Sequence, residues 1–188
     1  MGQKAITIYT PSGSTAHIAA EDDAFIYRAL LGGESGLLGS LTCAKVDDNT
    51  VRLSGGGVSN RGYILWIPDG TTLELTIDSG SAGLNRIDAV ASEFVRGGGE
   101  TADTHAVKII KGTAVSGTPA APTMATSNLL NAGNVNRVAL YYVTLSGTEI
   151  TGIARVAQHL PTSSDGAPDI YVQQSQPSSP QVGDLWIW

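Results

Sequence analysis

Short runs of alternating apolar and polar residues dominate the chain between residues 37 and 158. Gly, Pro, Ser and Asn bound these runs, which is the pattern of half-buried strands joined by turns. We therefore predict a mainly β fold, an antiparallel β-sandwich, over this region. The strand candidates are residues 37–46, 50–53, 62–67, 71–77, 86–90, 107–113, 138–145 and 150–156.

Two stretches have the composition of hairpin turns, 46–51 with its Asp-Asp-Asn and 68–70 with its Pro-Asp-Gly. The glycine run 55–57 is placed between strands. Arg86 and Asp88 alternate onto one face of their strand, and we interpret them as a pair at an exposed sheet edge. Such a pair contributes roughly 0–1 kcal/mol.

One helix is predicted, over residues 19–31. Glu21, Asp22 and Asp23 fall in its first turn, where carboxylates interact favourably with the helix dipole, and Gly32-Gly33 ends it. Three consecutive acids also suggest a metal site, but no second carboxylate group stands at a ligand spacing, so capping is the preferred interpretation.

The two ends of the chain differ from its middle. Residues 4–10 alternate, either as a first strand or as an arm that pairs with a neighbouring chain. After residue 158 the composition becomes rich in Pro, Ser and Gln. We predict an N-terminal arm and helix (1–36), a sandwich domain (37–158), and a linker with the start of a C-terminal segment (159–188). This last part is expected to form an extended tether and to continue beyond residue 188.

Composition narrows the possible partners. The formal net charge of −6 argues against nucleic acid, since phosphate binding depends on Lys and Arg. No apolar run approaches the length of a membrane span, so we expect no membrane insertion. The single cysteine, Cys43, excludes an intrachain disulfide and is typical of synthesis in a reducing cytosol.

A search for catalytic chemistry finds no motif. The histidines His17, His105 and His159 lie far apart, and none has a metal-ligating partner at a known spacing. A nucleophilic pair of Cys43 with a histidine stays open but unsupported. Glu93 and Asp103 are nominal candidates for a glycosidase pair, a pairing without specificity among 17 acids. We predict no enzyme, no cofactor and no metal.

The central region resembles a motif that recurs in structural proteins of tailed phages. The resemblance rests on Arg-Ile-Asp-Ala-Val (86–90), Lys-Ile-Ile-Lys-Gly-Thr (108–113), a loop with Pro119 and Pro122, and Ala-Leu-Tyr-Tyr-Val (139–143). Two features depart from the pattern. Five extra residues precede the first proline, and Ile-Ala-Arg (153–155) lacks the acid that family members tend to show before the arginine.

Flanking segments carry the same resemblance. Residues 21–38 are similar to the N-terminal part of such proteins, and Pro-Ser-Ser-Pro-Gln-Val-Gly-Asp-Leu-Trp (177–186) is similar to a segment that opens a further module in them. The resemblance implies a component of a phage or phage-derived tail baseplate or tail fibre, located in the virion tail and made in the host cytoplasm. It implies a homo-oligomer, for which we expect a trimer, bound to other tail proteins.

The rival hypothesis is a binding module for host surface saccharide. Its candidate contacts are Tyr63, Trp66, Trp186 and Trp188, which would stack on sugar rings. Tyr63 and Trp66 have an odd spacing and so do not share a face of one strand, whereas Trp186 and Trp188 do. The long connection 113–136 is expected to be functional or to lie against a neighbouring subunit.

Overall fold

The computed structural model describes residues 20–32, 35–97, 102–127, 134–160, 170–172 and 185–187. The predicted arm at residues 4–10 lies outside this part of the chain. The described helix and strands are α1 (Ala20–Leu30), β1 (Gly36–Leu38), β2 (Cys43–Asp47), β3 (Thr50–Asn60), β4 (Tyr63–Thr76), β5 (Asn85–Val95), β6 (Thr104–Ile110), β7 (Val135–Ser146), β8 (Glu149–Arg155), β9 (Ile170–Val172) and β10 (Leu185–Ile187).

The first sheet is organised around the long strand β3. β1 and β2 lie end to end along one edge of β3, and β4 runs along the other edge, all antiparallel to it. The prediction of a single strand over 37–46 was therefore wrong, because residues 39–42 interrupt it. The hairpin turn at 46–51 is confirmed, since β2 and β3 pair across it.

The predicted hairpin at Pro68–Gly70 was also wrong. These residues carry turn chemistry, with Gly70 at φ 76° and the Thr71 hydroxyl donating to the Pro68 carbonyl at 2.6 Å. They form a bulge, however, and β4 continues in the same direction on both sides of it, with residues 63–67 and 72–76 both paired with β3.

The glycine run 55–57 explains both the break at residues 39–42 and the bulge at Pro68–Gly70. It lies inside β3, not between strands as predicted. A side chain at Gly56 would come within 2.6 Å of Leu41, and one at Gly55 within 2.9 Å of the Asp69 backbone. The neighbouring chains approach β3 this closely only because the run has no side chains, so both edges bend at the same level of the sheet.

The second sheet has the order β6-β5-β7-β8, entirely antiparallel. β5 is therefore a central strand, with partners on both sides. Alternate residues of β5, from Arg86 to Phe94, face the first sheet, and this is why Arg86 and Asp88 are buried instead of lying at an exposed edge.

The two sheets enclose one apolar core, so the predicted mainly β fold with two antiparallel sheets is confirmed. Alternation supplies the core residues from one face of each strand. The first sheet contributes Leu37, Leu41, Val51, Leu53, Val58, Ile67 and Ile77, and the second contributes Val90, Val107, Leu140, Tyr141, Val143, Leu145 and Ile150.

The connection after β6 lies on its own sheet. Val115 pairs with Asn85 at one end of β5, and the Ala125 carbonyl accepts from the Arg137 amide at the far end of β7. Ten residues reach at most about 33–36 Å, so residues 115–125 must cross the outer face of the sheet almost directly. Ala89, on that outer face, is fully buried. The described part of the connection thus covers a face of this chain itself.

Helix α1 is confirmed within its predicted range. It lies at one end of the sandwich, where the carbonyl oxygen of Ala24 sits above Gly62 so closely that a side chain there would approach to 1.9 Å. At the other terminus the sandwich extends to Leu160, because residues 158–160 bond to β1 through Leu37. Beyond it, β9 and β10 pair in parallel.

Candidate functional site

Trp66 is an exposed residue of the predicted contact set. Its side chain stands on the outer face of β4 with 66% of its surface accessible, two residues from the exposed Ile64. Gly57 of β3 is its cross-strand partner, and Leu38 of β1 follows in the same row. Because Gly57 has no side chain, the side chain of Leu38 packs directly against it. Trp66, Gly57 and Leu38 thus form an apolar row across this face.

Tyr63 lies on the opposite face of β4, as its spacing from Trp66 indicated. Its ring is 7% exposed and stacks on Phe94 with the centroids 3.9 Å apart, and its hydroxyl accepts from Arg96 at 2.7 Å. Burial raises the pKa of this phenol. A ring enclosed in this way has no free face for a sugar.

The other two predicted contacts stand at positions 186 and 188. Trp186 lies on β10, where its register partner is Tyr171 of β9. Trp188 lies outside the described residues. Of the two contacts whose side chains the structure describes, Tyr63 is buried and Trp66 is exposed, on opposite faces of β4.

Arg86 and Asp88 form a buried structural clamp. Their side chains are 4% and 0% exposed, and the guanidinium meets the carboxylate at 2.8 and 2.9 Å. Arg86 also donates to the Asp78 carbonyl at 2.5 Å, and Asp88 accepts from the Gly112 amide at 2.8 Å. The pair therefore ties two loops to β5, and the predicted contribution of an exposed edge pair does not apply to it.

Glu93 and Asp103 have separate structural roles. Glu93 is held between Lys108 at 2.5 Å and Arg137 at 2.6 Å, and these hydrogen bonds, with Lys108 as the larger cause, lower its pKa. Asp103 accepts from the Gly97 amide at 2.7 Å. A glycosidase acid needs a carboxyl whose pKa is raised, so the environment of Glu93 argues against that role.

A serine–histidine contact that the sequence did not reveal joins β5 and β6. Ser92 Oγ and His105 Nε2 are 2.7 Å apart, a geometry that a nucleophile and its base would share. Ser92 is fully buried, however, and burial lowers the pKa of His105 to about 4. The contact belongs to a network between the sheets, in which Asn60 bonds to Ser92 and to Asn136.

A cleft of about 480 Å³ opens between the two sheets beside the edge strands β2 and β8. Its lining includes Cys43, Tyr141, Arg155 and His159, so one of the histidines lines the same cleft as the cysteine. Burial raises the pKa of Cys43 to about 11, which keeps the thiol protonated, whereas a nucleophilic cysteine requires a lowered value. The environment of Cys43 therefore argues against the role of a nucleophile.

Helix α1 leaves much of its apolar surface uncovered. Leu30 is 74% exposed, Phe25 57% and Tyr27 46%, whereas Ala24 is buried against Tyr63 and Phe94. Large apolar side chains exposed together on one short helix are typical of a contact surface.

Two further features were searched for in the described ranges. Those residues contain no group of three or more His, Cys, Asp or Glu positioned to hold a metal ion. None of the helical residues described forms a segment long and apolar enough to cross a membrane.

The chain was compared with known proteins. No family model matches it, and no curated protein sequence is significantly similar to it.

Proposed function

We propose that this chain is a structural and assembly component of a phage or phage-derived tail baseplate or tail fibre, which attaches host-recognition parts to the particle. The resemblance of residues 86–90, 108–113 and 139–143 to tailed-phage structural proteins supplies the biological setting. The proposed partners are further copies of this chain, as a trimer, and other proteins of the tail. The proposed location is the virion.

The observation that carries the assembly role is the exposed apolar surface of α1. Leu30, Phe25 and Tyr27 present large side chains to solvent on a helix whose buried residues are Asp22 and Ala24. Covering such side chains stabilises a complex by about 25 cal/mol for each Å² of apolar area removed from water. A neighbouring subunit would supply that cover.

The charged residues at the centre of the fold favour the same role. Arg86, Asp88 and Glu93 are buried, and each is engaged in hydrogen bonds and ion pairs that join strands or loops. An enzyme keeps some polar groups free to meet its substrate, whereas these groups are fully used in holding the two sheets in shape.

Light scattering of the full chain at several concentrations tests the proposal. We expect a constant trimer mass, and a monomer at every concentration would contradict self-assembly. Leu30→Lys should reduce the mass by placing a charge in the contact. The matched control Thr72→Lys puts the same charge on an exposed residue of β4 and should leave the mass unchanged.

A second candidate function, recognition of host saccharide, is favoured by the exposure of Trp66 beside Ile64. An indole ring with 66% of its surface accessible can stack on the apolar face of a sugar. Binding of the full chain to a broad glycan array, lost in Trp66→Ala and retained in Tyr27→Ala, would support it. An array without any bound glycan would remove this candidate.

A further inference from the structure

The cleft beside Cys43 is formed by elements that are distant in sequence. Leu41 and Thr42 precede β2, Tyr141 lies in β7, and Arg155 and His159 follow at the end of β8 and beyond it. The Tyr141 hydroxyl donates to the Leu41 carbonyl at 2.7 Å, so one wall of the cleft is held rigidly. Its volume of about 480 Å³ is within the range of small-ligand sites.

Arg155 differs from most other cations in the described part of the chain, because no described carboxylate forms an ion pair with it. Ion pairs with described carboxylates involve Lys45, Arg52, Arg86, Arg96, Lys108, Lys111 and Arg137, and Arg28 also has an interaction partner. Arg155 forms none with any described carboxylate, although the chain carries an excess of acids. Its guanidinium is thus available to a ligand in the cleft.

The lining offers both parts of a binding site for an organic acid. A planar guanidinium matches a carboxylate in a two-bond arrangement, which gives it an advantage over a point charge. Leu41 and Tyr141, 1% and 6% exposed, form a closed apolar floor beneath the cleft. The exposed imidazole of His159 adds a second nitrogen donor or acceptor on the open side. Cys43, protonated and half-buried, completes the lining as a small apolar group.

We propose that this cleft binds a small organic carboxylate, with Arg155 holding the carboxylate and Cys43 and His159 contacting the body of the ligand above the buried Leu41 and Tyr141. Two classes of ligand carry such a carboxylate on a small ring, sugar acids and aromatic acids. The site is separate from the exposed apolar surface of α1 and from Trp66. It therefore stands whether or not the chain assembles into a tail particle.

Titration of the isotopically labelled full chain by two-dimensional NMR tests the proposal with acid and amide pairs of equal shape. Glucuronate is compared with glucuronamide, and benzoate with benzamide. We expect saturable shifts at the amides of Cys43, Tyr141 and Arg155 for at least one acid, with Kd on the order of 1 mM. The acid whose shifts saturate identifies the class of ligand.

The neutral amides and two variants decide the outcome. Arg155→Gln should weaken binding of the acid at least about tenfold. Arg61→Gln is the matched control, because Arg61 also forms no ion pair with a described carboxylate but does not line this cleft, and it should bind as the wild type does. Equal binding of acid and amide, equal loss in both variants, or no saturable shift with either acid would overturn the proposal.

Discussion

The side-chain amides of Asn60 and Asn136 meet between the two sheets, with Asn136 Nδ2 donating to Asn60 Oδ1 at 2.6 Å. Both residues are buried, and Asn60 also donates to the Asn136 carbonyl and to Ser92. A hydrogen-bonded polar group is tolerated in a core, whereas an unpaired one is costly. This contact therefore fixes how the ends of β3 and β7 lie against each other, in addition to the apolar packing around them.

The buried ion pair should be far more sensitive to mutation than an exposed one. Asp88→Ala leaves the Arg86 guanidinium buried without its carboxylate, and we expect a loss of about 3–5 kcal/mol in the free energy of unfolding. Glu74→Ala breaks the exposed pair with Arg52 and should cost at most about 1 kcal/mol. Urea unfolding measures both, and equal losses would mean that the clamp contributes no more than a surface pair.

The stability of the fold should depend on the protonation of His105. Burial lowers the pKa of His105 from 6.5 to about 4, so the unfolded chain binds more protons than the folded one between these values. The stability that depends on a neutral His105 is complete above pH 6.5 and is lost as the pH falls towards 4. After allowance for the partial exposure of the ring, the loss is on the order of 2 kcal/mol.

Comparison of variants isolates this effect from the carboxylates that titrate in the same range. The difference in unfolding free energy between wild type and His105→Gln should shrink as the pH falls from 7 to about 4. A pH-independent offset for His105→Gln would contradict the assigned cause.

Gly62 should be the critical contact between α1 and the sandwich. Gly62→Ala combines a left-handed backbone, at φ 89°, with a clash against the Ala24 carbonyl at 1.9 Å. Gly83→Ala has a similar φ of 74° but meets nothing within 4 Å, so it should cost only the backbone strain, about 1–2 kcal/mol. We expect a lower thermal midpoint and less helix signal for Gly62→Ala. Matching midpoints for the two variants would show that the close approach is easily relieved.

The thiol of Cys43 should react slowly in the folded protein. With its pKa raised from 9.0 to about 11, the thiolate fraction at pH 8 is about 100-fold below that of the unfolded chain. Alkylation by iodoacetamide, followed by mass spectrometry with and without denaturant, measures the ratio. A folded protein that reacts as fast as the unfolded one would place Cys43 in an open and polar environment.

Local pattern was sufficient for the features that depend on one strand or one helix. Alternation predicted the β class, and it placed Tyr63 and Trp66 on opposite faces. The run of acids ahead of an apolar segment, followed by two glycines, predicted α1. These properties follow from the periods of two and 3.6 residues, which act within a few neighbouring positions.

Features that depend on which strands become neighbours were decided by the tertiary structure. Pro68–Gly70 has the composition of a hairpin turn, yet pairing of both halves of β4 with β3 keeps the strand in one direction. Arg86 and Asp88 were assigned to an edge, and the central position of β5 buried them. The cleft joins Cys43 to Arg155 and His159 across more than a hundred positions. Sequence alone determined which residues share a face of each element, because side-chain direction is set locally. Strand order, burial and the composition of the cleft required the folded chain, because pairing between distant strands produces no periodic pattern in the sequence.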